Sequence, residues 1–249
     1  MGKMRIQIVG VSVFILGSVP NTVQFPLLFF IIFMVIYLLT VLGNLIILVI
    51  IVVEPHLYGL PMYFFLCNLS LLDNCLSSVI VPQILVSFIA PSHRTISFGS
   101  CVLQLYTFHF LVSIECFLYT IMAYYCYLAI CHPLNYTTLM NRRISLGLVT
   151  GMWFTGSFHA LACADITVNH AMIRINIALV GTGCFLLICI SYSYIASAIL
   201  ESQKMEGRHW AFSTCSAHLT VVLLYYSPSI FIYMHAASSN AMYGMLAVF

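Results

Sequence analysis

Asp73 and Glu115 are the only acidic side chains deep inside the apolar runs of this sequence. A carboxylate without a partner at mid-membrane costs several kcal/mol, so the two must meet each other, water or a cation. Two chemistries suit such a pair: a protonated, hydrogen-bonded clasp between helices, or a sodium or proton site. Catalytic arrangements do not close. A serine-type intramembrane hydrolase needs G-x-S-G with a histidine partner, but Gly156-Ser157 is followed by Phe158-His159. An aspartyl type needs G-x-G-D, and Gly181-Thr182-Gly183 is followed by Cys184. The motif context for an enzyme is missing, and nothing calls for a cofactor.

The elements that position these acids are long and apolar. The chain has 249 residues, 63% hydrophobic and 6% charged, which leaves too few charged groups to cover a soluble globule. Six runs are long enough to cross a bilayer core of about 30 Å: approximately 25–53, 61–89, 98–130, 144–164, 175–200 and 211–235. The reading is an all-α integral-membrane domain over residues 1–249, with membrane lipid as its surroundings. A net charge of +2 without a basic stripe gives no reason to expect nucleic acid, and the absence of internal repeats argues against a transporter. Lys3, Arg5 and the apolar stretch Ile6 to Leu16 imitate a signal peptide, but no small-x-small cleavage site follows. Most of the ten cysteines lie within the apolar runs, which is not a secreted disulfide framework.

Periodicity orients the third run. Cys101, Leu105, Phe108, Val112, Glu115 and Tyr119 step by three or four and share one face. A lipid-facing stripe would not contain Glu, so this face turns inward. In the sixth run Tyr226, Ser229, Ile230 and Tyr233 repeat the i, i+3, i+4, i+7 spacing. Pro61 suits a first helical turn, and Pro82 is expected to kink the second run. Gly43-Asn44 places an amide in the first run, where it needs other helices rather than lipid.

Several strings together resemble the olfactory receptors, a family of rhodopsin-like G-protein-coupled receptors. They are Gly43-Asn44; Pro61-Met62-Tyr63-Phe64-Phe65-Leu66 with Leu69-Ser70 and Asp73; Met122-Ala123-Tyr124 with Ala129-Ile130-Cys131-His132-Pro133-Leu134 and Tyr136; Leu161-Ala162-Cys163-Ala164-Asp165; Ser191-Tyr192 with Ile195; and Ala211-Phe212-Ser213-Thr214-Cys215-Ser216 with His218-Leu219. The resemblance covers nearly the whole chain and implies a rhodopsin-like bundle with a small volatile odorant as ligand, a heterotrimeric G protein as partner, and a multi-pass place in the plasma membrane. It implies a ligand pocket at Leu105, Phe108, His109, Val112, Asn176, Val180, Tyr226, Ser229, Ile230 and Tyr233, for which an apolar cavity with a few polar groups is suited. Read from spacing alone, the same stripes are packing faces. The resemblance also places Asp73 and Glu115 at the family's sodium or proton site. Cys101 and Cys163 fall near helix ends on the same predicted side, and with the usual loop partner of Cys101 deleted, Cys163 is its expected partner if it pairs at all.

The sequence departs from the family in four places. Tyr125-Cys126, followed by Tyr127, stands where the family has Asp-Arg-Tyr. Cysteine can neither carry the arginine's charge nor make its bidentate contacts, which leaves Cys126 inert or palmitoylated. Leu161 follows Trp153 by only eight residues, so the outer end of the fourth helix and most of the following loop are deleted. After His235 only 14 residues remain, too few to span, so six spans are expected with the seventh missing. No Asn-x-Ser/Thr precedes the first run. A non-signalling product, retained in the endoplasmic reticulum or pairing with intact receptors, is therefore the alternative. Charges do not fix orientation. With the N-terminus outside, Arg142, Arg143, Lys204 and Arg208 lie inside and Lys3, Arg5, Arg94 and Arg174 outside. The resemblance decides for both termini outside.

Overall fold

A computed structural model describes residues 13–15, 25–89, 95–164, 170–201 and 215–228. Helix α1, Pro26–Val53, starts with proline at its first position and carries no charged residue. It stops because Pro55 disfavours helical backbone at the preceding residue; Glu54 is extended, with φ −95° and ψ 101°. Its apolar surface stays open: Ile51 is its one buried residue, while Leu27, Leu39, Ile46 and Val53 are more than half exposed. In water this would be an aggregation surface, and in a bilayer it is the lipid face.

A four-residue turn, α2 (Pro55–Tyr58), leads to α3, Pro61–Ile89. Helix α1 lies along α3, joined by Phe29 and Phe33 on Phe88, with ring centroids 6.0 and 5.7 Å apart. The Tyr37 hydroxyl and Ser78 Oγ add a polar contact of 3.1 Å. Asn44, half-buried, donates back to the Thr40 carbonyl of its own helix at 3.1 Å. Helix α3 runs through Pro82 without ending. The carbonyl that Pro82 cannot cap is that of Ser78, and one residue on, Gln104 of the next helix donates to the Val79 carbonyl at 3.2 Å. A neighbouring helix thus supplies a side-chain donor next to the carbonyl that proline frees.

Helix α4, Phe98–Cys131, is the hub. Ser97 caps it by accepting from the Ser100 N–H, and His132-Pro133 ends it. It packs against α3, α6 and α7, and its middle, from Leu111 to Met122, is buried almost all round. After the single turn α5, Tyr136–Leu139, comes α6, Arg142–Ala164. The Asn141 side chain accepts from the Arg143 and Ile144 N–H groups at 3.0 Å each. Helix α7 is His170–Glu201, starting five residues before the expected run. Residues 215–228 form a last described helix, α8, inside the expected 211–235. Helices α1 and α3, together with Val102–Cys131 of α4 and Leu179–Glu201 of α7, are long and apolar enough to cross a membrane. At 23 residues α6 measures about 34 Å, long enough but less apolar.

The all-helical bundle carries one small addition that periodicity did not suggest. β1, Val13–Ile15, pairs antiparallel with β2, Thr95–Ser97, with Phe14 opposite Ile96. Three residues of the stretch that imitates a signal-peptide core thus lie beside the strand that leads into α4.

Candidate functional site

The acid pair forms the floor of the bundle's centre. Glu115 on α4 is 1% exposed, and Asp73 on α3 is half-buried. The two carboxyl groups interact directly, and the Tyr225 hydroxyl approaches Glu115 as well. That hydroxyl also donates to the Val112 carbonyl at 3.2 Å and lies 3.5 Å from Cys116 Sγ. Tyr119 closes the group, its ring 4.9 Å from that of Tyr225. Glu115 Oε1 has no hydrogen-bond partner among the described residues, nor has Asn74 Oδ1 next door. This arrangement can hold and pass a proton, and it clamps α3, α4 and α8 together. No third His, Cys, Asp or Glu completes a metal cage among the described residues.

Above the acids, Leu105, Phe108, His109 and Val112 are half-buried on α4, and Val180 of α7 packs on the same core. Tyr226 is 6% exposed, its ring tilted against Phe185 and edge-on to Tyr225, each at 5.1 Å. Its hydroxyl has no hydrogen-bond partner among the described residues. The side chain of Asn176, and residues Ser229, Ile230 and Tyr233, lie outside the described residues. So do the side chains of Cys101 and Cys163. A separate groove of about 350 Å³ opens between α7 and α8. It is lined by Phe185, Ile188, Cys189, Tyr192, Leu219 and Val222 among others, and by none of the expected pocket residues whose side chains are described.

At the other end, Tyr125, Cys126 and Tyr127 diverge. Tyr125 sets its ring edge-on to Tyr136 of α5 and Phe65 of α3, at 6.0 and 6.2 Å. Tyr127 points elsewhere, to Tyr194 at 5.8 Å, and its hydroxyl lies 3.0 Å from His132 Nε2. Cys126 is 5% exposed and packs with Ile195 of α7 and Cys215 of α8. That burial removes palmitoylation as a role for it: the thiol faces protein rather than the membrane surface. Aromatic and apolar packing fills this end, with Tyr125, Tyr127, Ile130 and Tyr192 around Cys126, Ile195 and Cys215.

Two polar pairs escaped the sequence reading. The Tyr192 hydroxyl donates to the Cys215 carbonyl at 3.3 Å and lies 2.6 Å from His218 Nδ1, with the two rings stacked at 5.9 Å. Ser113 Oγ lies 2.7 Å from His159 Nδ1, tying α4 to α6. Tyr192 and His218 each sit in a motif string, S-Y-x-x-I and S-A-H-L, but nothing in either string names the other. Gly156 completes the α4–α6 seam, where a Cβ would stand 2.6 Å from Ile114 Cγ1.

Residues 43–243 match the sequence family described as "7 transmembrane receptor (rhodopsin family)". The chain is 46% identical over 268 aligned positions to human olfactory receptor 10G7, covering 96% of this chain and 86% of the relative. Human olfactory receptors 10G9 and 10S1 are 44% and 43% identical over 269 positions, again across 96% of this chain and 86% and 81% of theirs. Since 96% of 249 residues is about 239, some 29 of the 268 positions aligned to 10G7 have no residue here.

Proposed function

The chain belongs to the olfactory receptor branch of the rhodopsin family of seven-transmembrane receptors, and from that premise we propose an odorant-type receptor with impaired coupling. It is a multi-pass membrane protein and not an enzyme. The ligand is a small volatile molecule held in the half above the acid pair by Leu105, Phe108, His109, Val112, Val180 and Tyr226, with Asn176, Ser229, Ile230 and Tyr233 completing the pocket. Support comes from the half-buried, largely apolar character of the α4 residues and from Tyr226, whose buried hydroxyl beside Cys116 adds one polar group to an apolar wall.

Coupling to a heterotrimeric G protein is where this chain departs from its relatives' pattern. The observation that carries the reading is Cys126, 5% exposed against Ile195 and Cys215 where a cation belongs in the family motif. A ligand shifts a receptor between states only by its differential affinity for them. The inward-open state of this chain has no guanidinium at this position to offer a partner. The acid pair then serves as an interhelical clasp that exchanges a proton or a sodium ion, and the destination is the plasma membrane.

The test is odorant-evoked cyclic AMP in cells expressing the 249-residue chain, with surface level measured in parallel. No response above vector control is expected at matched surface expression. A robust response from the unmodified chain would overturn the coupling defect. A chain confined to the endoplasmic reticulum, with no surface signal, would favour the retained, non-signalling product instead.

A further inference from the structure

Cys126 and Cys215 come from α4 and α8, 89 positions apart in the sequence, and their side chains pack together with Ile195 in one buried cluster. Each is 5% exposed, neither is in a disulfide, and the two side chains share one buried cluster. Cys131, one turn and a half along α4, packs on the same cluster but is only half-buried, its Sγ 3.8 Å from the Tyr194 carbonyl. Three thiols therefore converge on one junction of α4, α7 and α8, graded from exposed to enclosed.

We propose that Cys126 and Cys215 are an oxidisable thiol pair that a peroxide converts to a disulfide stapling α4 to α8, with Cys131 as the point of entry. Peroxide reaches the half-exposed Cys131 first, since reaction follows access. Its thiol becomes a sulfenic acid as the peroxide O–O bond breaks and one water leaves. Cys215 attacks that sulfur, forming the Cys131–Cys215 disulfide and releasing a second water. Cys126, already against Cys215, then attacks the Cys215 sulfur and returns Cys131 as a thiol. The sum is two thiols and one peroxide giving one disulfide and two waters. Side chains already in contact between neighbouring helices suit the short Cβ–Cβ separation a disulfide needs. Once formed, the bond is enclosed by Tyr125, Tyr127 and Tyr192, so a reductant reaches it slowly. The device is independent of any ligand and of coupling.

The experiment uses the full 249-residue chain in detergent micelles, treated with hydrogen peroxide, alkylated with N-ethylmaleimide and mapped by mass spectrometry. A dithiothreitol-sensitive peptide joining the segments around Cys126 and Cys215 is expected. Cys131→Ser should slow its appearance several-fold while leaving the same end product, and Cys126→Ser should stop at Cys131–Cys215. Recovery of Cys126 and Cys215 as alkylated free thiols, while half-exposed or exposed cysteines such as Cys75 and Cys189 oxidise, overturns the pair. An unchanged rate in Cys131→Ser overturns the entry role.

Discussion

Adding one methyl group at Gly156 tests how closely α4 and α6 are fitted. The new Cβ would stand 2.6 Å from Ile114 Cγ1, 3.4 Å from its Cδ1 and 3.6 Å from the Phe110 carbonyl oxygen. Favourable carbon–carbon contact lies near 3.5–4.0 Å, so a gap of about 1 Å must open. Ile114 cannot give way, being fully buried and β-branched, which fixes its χ1 in a helix. Overpacking of this kind costs about 1–3 kcal/mol, against which alanine's helix advantage over glycine returns about 1 kcal/mol. Gly151, on the same helix, has open space to 4 Å around the position its Cβ would take, and supplies the control. Gly151→Ala gains the helix advantage alone, so the difference between the two variants isolates the steric cost of about 1–3 kcal/mol. Trp153 lies tilted against Phe110 across this seam at 5.7 Å and reports on it directly. The assay is reversible unfolding in mixed micelles followed by Trp153 fluorescence, in a Trp210→Phe background. Ile114→Ala on top of Gly156→Ala should cost less than the sum of the single changes, because the clashing atom is gone. Equal stabilities for Gly156→Ala and Gly151→Ala would refute the close approach.

Tyr192→Phe should keep the stack on His218 but remove the hydroxyl's contacts with His218 and the Cys215 carbonyl, destabilising α7 against α8 by about 1–3 kcal/mol in the same unfolding assay. Gln104→Leu should remove the extra side-chain donor to the Val79 carbonyl near Pro82, costing about 0.5–1.5 kcal/mol and speeding amide exchange around Pro82. In the oxidising outer compartment Cys101 is expected to pair with Cys163; peptide mapping that returns both as alkylated thiols without prior reduction would reject this.

The sequence by itself determined the solvent, the helices and most of their ends. Composition and run length require a bilayer, and local stops need no partner: Glu54-Pro55 ends α1, Pro61 starts α3, and His132-Pro133 ends α4. The inward direction of Glu115 was also legible, since a carboxylate on a helical face excludes lipid from that face. Tertiary structure decided which of those faces meet. Glu115 finds Asp73 and Tyr225 because α4 sits between α3 and α8, and a helical period fixes a direction without fixing a neighbour. The same limit hid Tyr192 with His218, Ser113 with His159, and Gly156 against Ile114, each joining two helices through one atom-to-atom fit. It also hid the fate of Cys126. Its sequence context says only that a cation is missing, whereas the fold puts it beside Cys215 and makes a lost charge into a buried thiol pair.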